Sequence, residues 1–214
     1  MYYILGLGNP GEEYDNTRHN TGRIVLSAFL KKNKFPEPEF DKKLNSLVST
    51  SKLKTFNLQL IMPETFMNKS GQSVGQIKDL RFKIKGKGKE KKTEIANLIV
   101  IHDDLDIPFG KFKVSFNKSS GGHKGVESII KAVKTEAFVR IRVGICPASA
   151  KASAGKPVIL KKPQGEKAVG DFILAKFKPA EIDVMKKVAK DAAEAIAMIT
   201  EEGKDKAAGK WNSM

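Results

Sequence analysis

Apolar positions along this chain switch between a two-residue and a helical period, and each switch marks an element. Residues 2–7 form a short apolar run that reads as a buried strand. Across residues 22–32, Ile24, Val25, Phe29 and Leu30 share one face, which predicts an amphipathic helix. Residues 35–40, with Pro36 and Pro38, read as a connector. Residues 44–51 and 56–62 alternate as strands do, and Pro63 closes the second. Val74, Ile77 and Leu80 then place a helix after a polar loop, with Asn68 or Ser70 as its cap. Residues 96–101 are β-branched and read as a buried strand, and residues 111–116 alternate as a half-buried one. Val126, Ile129, Ile130 and Val133 predict another helix, and residues 138–145 another strand with Arg140 and Arg142 facing outward. Pro179 opens a last helix, periodic through Ile199 and stopped by Gly203.

Strands alternating with helices imply an α/β fold, a single domain over residues 1–203 with some antiparallel pairing where connections are short. Two stretches interrupt it: a basic, glycine-containing run at 83–93 and an irregular excursion at 147–170. Residues 204–214 read as a loose basic tail.

The polar residues cluster where apolar runs end. Gly6, Gly8 and Gly11 open a loop that continues through Asn9, Tyr14, Arg18, His19 and Asn20. The glycines satisfy the dinucleotide pattern G-x-G-x-x-G. That pattern requires a helix directly after it and an acid about 20 residues on, and here both are missing. A second loop carries Asn68, and the strand at 96–101 delivers His102 and Asp103 at its end. In an open α/β sheet such loops meet in one crevice. A histidine oriented by a carboxylate is a general base for water, and asparagine amides hold a carbonyl and its developing oxyanion. The same histidines and acids invite a metal reading, yet no pair has the helical spacing H-E-x-x-H, and no metal is expected.

A formal charge of +15 favours a polyanionic partner, nucleic acid before an anionic membrane surface. The single cysteine, Cys146, excludes an internal disulfide and fits a reducing compartment. No apolar stretch approaches the ~20 residues of a membrane span, so a cytoplasmic protein is expected.

Four motifs in order, Gly6-Leu-Gly-Asn-Pro-Gly through Thr17-Arg-His-Asn20, Thr65-Phe-Met-Asn68, His102-Asp103-x-Leu-Asp106-x-Pro108 and Gly121-Gly-His-x-Gly125, closely resemble bacterial-type peptidyl-tRNA hydrolase. The resemblance implies a mixed, twisted sheet flanked by helices and a metal-free, cofactor-free esterase. It would cleave the ester between peptide and tRNA, acting as a monomer without an obligate protein partner. Carried over, His19 is the general base, Asp103 its orienting partner, and Asn9 and Asn68 bind the scissile carbonyl. Tyr14, Asn20, Met67, His123 and Lys124 line the substrate crevice, and Lys113 with Arg142 hold the tRNA 5′-phosphate. Lys124 stands where the family most often has asparagine. A non-catalytic RNA-binding relative, as in chloroplast splicing factors of this fold, is the alternative the resemblance allows.

Overall fold

The computed structural model describes residues 1–85, 92–147 and 161–213 of the chain. Its elements in order are β1 (Tyr2–Gly6), α1 (Thr21–Lys32), β2 (Glu39–Asp41), β3 (Ser46–Leu53), β4 (Phe56–Pro63) and α2 (Gly71–Gly75). They continue with β5 (Phe82–Lys85), β6 (Lys92–Pro108), β7 (Phe112–Phe116), α3 (Lys124–Val133), β8 (Ala137–Cys146), α4 (Glu166–Leu174), α5 (Pro179–Glu202) and α6 (Lys204–Trp211).

The described strands form one mixed sheet in the order β2-β3-β4-β1-β6-β8-β7, with β5 paired to the start of β6. β1 lies parallel to both β4 and β6, and β6 lies parallel to β8, so their carboxyl ends point the same way. Strand alternation splits the core between the two faces. Ile99, Ile101 and Ile141 pack with Val25, Phe29, Val188 and Ile196 of α1 and α5 on one face. Leu98, Val100 and Phe138 pack with Val126 and Ile129 of α3 on the other. The chain therefore leaves β1 toward one face and β4 toward the opposite face, which opens a crevice between their ends.

Gly22 allows α1 to start hard against this junction. A Cβ there would lie 2.3 Å from the Ile101 carbonyl oxygen and 2.4 Å from the Leu7 nitrogen. The close approach seats the preceding turn, Arg18–Asn20, on the carboxyl end of β1 and beside residues 101–103 of β6.

Four expectations change. The strand expected over 96–101 runs from Lys92 to Pro108, so His102 and Asp103 lie within it rather than at its end. The helix after the polar loop is short, ending at Gly75, with Ile77 and Leu80 packed beyond it. Arg140 does not face outward: it is 1% exposed, because the face it shares with Phe138 is the one α3 covers. The 204–214 segment is not a loose tail over its described part, since α6 docks on β7 through Trp211, whose ring lies 5.3 Å from Phe112. Asn212 closes the contact by bonding both the nitrogen and the carbonyl of Val114. Its helical lysines had masked one buried aromatic. Trp211→Ala is expected to cost about 3 kcal/mol and to lower Tm by roughly 6–12 °C in a thermal melt; an unchanged Tm would mean that the segment does not pack. Most of the basic run at 83–93, and residues 148–160 of the excursion, lie outside the described residues.

Candidate active site

The site is built at the carboxyl ends of β1 and β4 and on the stretch of β6 that runs on past its pairing with β1. After β1, the loop places Asn9, and its side-chain Oδ1 accepts from the Met67 nitrogen at 2.8 Å, tying the loop after β1 to the loop after β4. Asn20 bonds the Asn9 backbone twice: its Oδ1 accepts from the Asn9 nitrogen at 2.8 Å, and its Nδ2 donates to the Asn9 carbonyl at 2.9 Å. Asn9 is thus held on both sides, leaving its Nδ2 as the amide group to donate elsewhere. Met67 is buried under the loop, while Asn68 and Phe66 are exposed beside it. Tyr14 meets Phe66 edge to face, with ring centroids 6.3 Å apart.

β6 supplies Asp103, which is 4% exposed. One of its oxygens, Oδ1, receives two histidines, His19 through Nδ1 and His123 through Nε2, each at 2.9 Å. The tautomer of His123 follows from its position at the start of α3. Its Nδ1 accepts from the Gly125 and Val126 nitrogens, so the ring proton sits on Nε2 and is donated to Asp103. An ionised Asp103 likewise takes the Nδ1 proton of neutral His19, which leaves the His19 Nε2 lone pair as the base.

Electrostatics follow the geometry. Burial would push the Asp103 carboxyl up, but the two histidines facing it hold it well below the usual carboxylate range. Burial opposes the charge on His19, and the charge and hydrogen bond of Asp103 outweigh it, so the imidazole stands above its ordinary value. His102 is the converse case. Burial, with His123 and Arg140 beside it, drives it well below its ordinary value, and it stays neutral.

His19, Asp103 and His123 can bring ligand atoms within 4.8 Å of one another, the only such group of three or more among the described residues. They do not suit a divalent cation. A metal would need a lone pair on His123 Nε2, and the two amides aimed at Nδ1 keep the proton on Nε2.

A cleft of about 530 Å³ opens onto this group, bounded by Lys124 at α3 and by Val169 and Ile173 of α4. α4 buries none of its residues and is tied down at its carboxyl end by Arg18. That side chain donates to the Ala175 and Lys176 carbonyls, forks onto Glu181, and lies 4.7 Å from the Phe172 ring centroid. Glu181 also closes the first turn of α5 by accepting from the Lys178 nitrogen at 2.7 Å. Arg18 stands inside a motif legible in the sequence, yet its work is done on residues more than 150 positions away.

A separate cleft of about 370 Å³ is lined by Lys113, Lys118, Arg142 and Lys204. Lys113 and Arg142 are cross-strand partners on β7 and β8, and Arg142 Nε bonds Asp104 Oδ2 at 2.7 Å. The structure therefore gathers His19, Asp103, His123 and Lys124 around one cleft, Asn9, Asn20 and Met67 in a hydrogen-bonded group adjoining it, and the two cations in the other.

The peptidyl-tRNA hydrolase family model matches residues 3–214. The chain belongs to that family. A peptidyl-tRNA hydrolase of Carboxydothermus hydrogenoformans is 34% identical over 212 residues, covering 99% of this chain and 98% of its own. One of Dehalococcoides mccartyi is 36% identical over 213 residues, covering 99% and 100%. The fold matches a crystal structure of peptidyl-tRNA hydrolase from Acinetobacter baumannii with a TM-score of 0.75, at 23% identity over 99% of this chain and 94% of that one. A structure of a peptidyl-tRNA hydrolase complex with N-propanol gives 0.77 at the same identity and coverage. No described helix is long and apolar enough to cross a membrane.

Proposed function

We propose that this member of the peptidyl-tRNA hydrolase family cleaves its ester by attack of a water that His19 activates. The observation that carries the reading is the buried His19 Nδ1 to Asp103 Oδ1 hydrogen bond of 2.9 Å at the floor of an open cleft. His19 Nε2 takes a proton as the water oxygen bonds to the carbonyl carbon at the peptide C-terminus, and Asp103 stabilises the imidazolium that forms. The tetrahedral oxyanion falls to the amide donors of Asn9 and Asn68. Collapse releases the ribose oxygen of tRNA, which recovers the proton from His19. Tyr14, Asn20 and Met67 shape the side of the crevice where Asn9 sits. His123 and Lys124 close the other, His123 acting through Asp103 and Lys124 presenting a cation to the substrate. The protein works as a monomer with no obligate protein partner, which light scattering of the active enzyme checks.

Lys113 and Arg142 serve as the clamp for the tRNA 5′-phosphate. Their cross-strand pairing, with Lys118 and Lys204 in the same cleft, supports this, as does the net charge of +15. Lys113→Ala removes an exposed cation without touching the fold. It is expected to raise KM about tenfold for 5′-phosphorylated peptidyl-tRNA and to reduce the salt slope of log kcat/KM by ~1. An equal KM for wild type and variant would remove Lys113 from the clamp. The proposal as a whole is tested by release of N-acetyl-aminoacyl groups from tRNA under excess chelator. Cleavage that resists the chelator is expected, and binding of tRNA without cleavage would point to the RNA-binding alternative.

A further inference from the structure

Among the described residues, Arg140 is a buried charge with no carboxylate bonded to it. Its Nη1 donates to the Ser119 carbonyl at 2.9 Å and its Nη2 to the Lys118 carbonyl, while Nε has no partner. Burial and the neighbouring charge of Arg142 push its pKa down to about 10. A guanidinium in this position costs more than an apolar side chain of similar volume, so its retention calls for a task.

The strand register shows what surrounds it. Arg140 pairs with Ser115 on β7 and with Val100 on β6, two residues before His102 on the same face. Ser115 Oγ and His102 Nε2 are also buried without a partner. The Nδ1 of His102 donates to the Asp103 carbonyl at 2.7 Å, and its ring meets His123 edge to face at 4.7 Å. All three side chains rise from the face of the sheet that α3 covers. Above them runs the loop from Lys118 to Gly122, whose Gly121 and Gly122 both take positive φ, and which ends at His123.

We infer that Arg140 is a positioning residue: with His102 and Ser115 it forms a buried polar seat that holds the 118–122 loop, and thereby keeps His123 on the oxygen of Asp103 that orients His19. The consequence is a tuning of the base. Two donors share Asp103 Oδ1, and the proton that His123 supplies satisfies part of its charge. If the loop slackens and His123 withdraws, that charge acts on His19 alone and its pKa rises further. Besides Asp103 and His123, the charged groups that line the cleft with His19 are Asp104, Asp106, Lys124 and Glu166, and Arg18 precedes it in the same turn, turned toward Glu181; among the described residues the bonds to the Asp103 carboxylate come from His19 and His123.

The proposal rests on the His19 base reading only for its effect on rate, so the test reads His19 directly, by NMR titration of its ring. Arg140→Lys keeps the charge but cannot fork onto two carbonyls. It is expected to raise the His19 midpoint by ~0.5 unit, with the acid limb of kcat/KM moving by the same amount. His123→Leu, which has no donor for Asp103, should give a similar shift, and the double variant no more than either, because both act through one contact. Gly122→Ala, which strains the same loop at φ +82° with nothing within 4 Å of the new Cβ, supplies a second route should Arg140→Lys not fold. A folded Arg140→Lys or Gly122→Ala with an unmoved His19 midpoint, or an Arg140→Lys shift that adds to that of His123→Leu, overturns the inference. Full activity of His19→Ala would instead remove the base reading and leave the titration result standing.

Discussion

His19→Ala is expected to lower kcat by about 10²–10⁴-fold with KM changed less than threefold or so. The argument is one of location. Among the described residues, the contacts that define binding in this account, the Asn9 to Met67 tie and the Lys113 and Arg142 cleft, do not pass through the imidazole. Asp103 keeps its second donor, His123, so no unpaired buried carboxylate is left to unfold the site. Single-turnover hydrolysis with enzyme in excess isolates the chemical step. A variant that cleaves at the wild-type rate would show that water is activated by another group.

Asp103→Asn separates orientation from charge. The amide oxygen of asparagine can still accept from His19 Nδ1 and His123 Nε2, so the geometry is retained while the negative charge is gone. Without it, the charge that raises His19 is lost and burial, the largest influence on the ring, outweighs the hydrogen bond that remains, so the His19 midpoint falls below its ordinary value near 6.5 instead of standing above it. The base is then free of its proton over more of the pH range, and activity nevertheless falls, by about 10²–10⁴-fold, because the imidazolium formed in the reaction has no counter-charge. A slower enzyme with its acid limb moved to lower pH is the expected pair of results. An acid limb that stays in place would show that Asp103 does not set the charge state of His19. Stability should respond in the corresponding sense. Asp103 has a depressed folded-state pKa, so its contribution is present above the unfolded carboxylate value and is lost as pH falls toward the folded one; the asparagine variant lacks that acid-side loss.

The sheet and its helices were legible because period and punctuation agreed: Pro179 at the first position of α5 and Gly203, with φ +94°, at its end are local signals that tertiary packing did not override. Asn9 and Asp103 were legible as chemistry because each stands just after an apolar run, and His19 because it lies in the polar loop that follows the first of them. What joins them was not. That a single oxygen of Asp103 takes both His19 and His123 depends on three chain segments whose separations, 84 and 20 residues, carry no periodic signal. Arg140 shows the limit of alternation, which assigns Arg140 and Arg142 to one face but cannot say how far α3 reaches along it; the first is buried and the second is partly exposed at the cleft that Lys113 lines. Asn20 shows a limit of motif reading. It lies beside the base in sequence, and in space its amide is spent on the backbone of Asn9.

The account turns on a neutral His19 held above its ordinary pKa by Asp103, and the pH dependence of kcat/KM for N-acetyl-aminoacyl-tRNA, measured under excess chelator, tests it most directly. The account predicts a rising limb with a midpoint above 6.5, carried by one ionisation that matches the His19 ring titration and is absent from His19→Ala. A rate that rises with hydroxide alone, with no plateau and no difference in shape between wild type and His19→Ala, would contradict it.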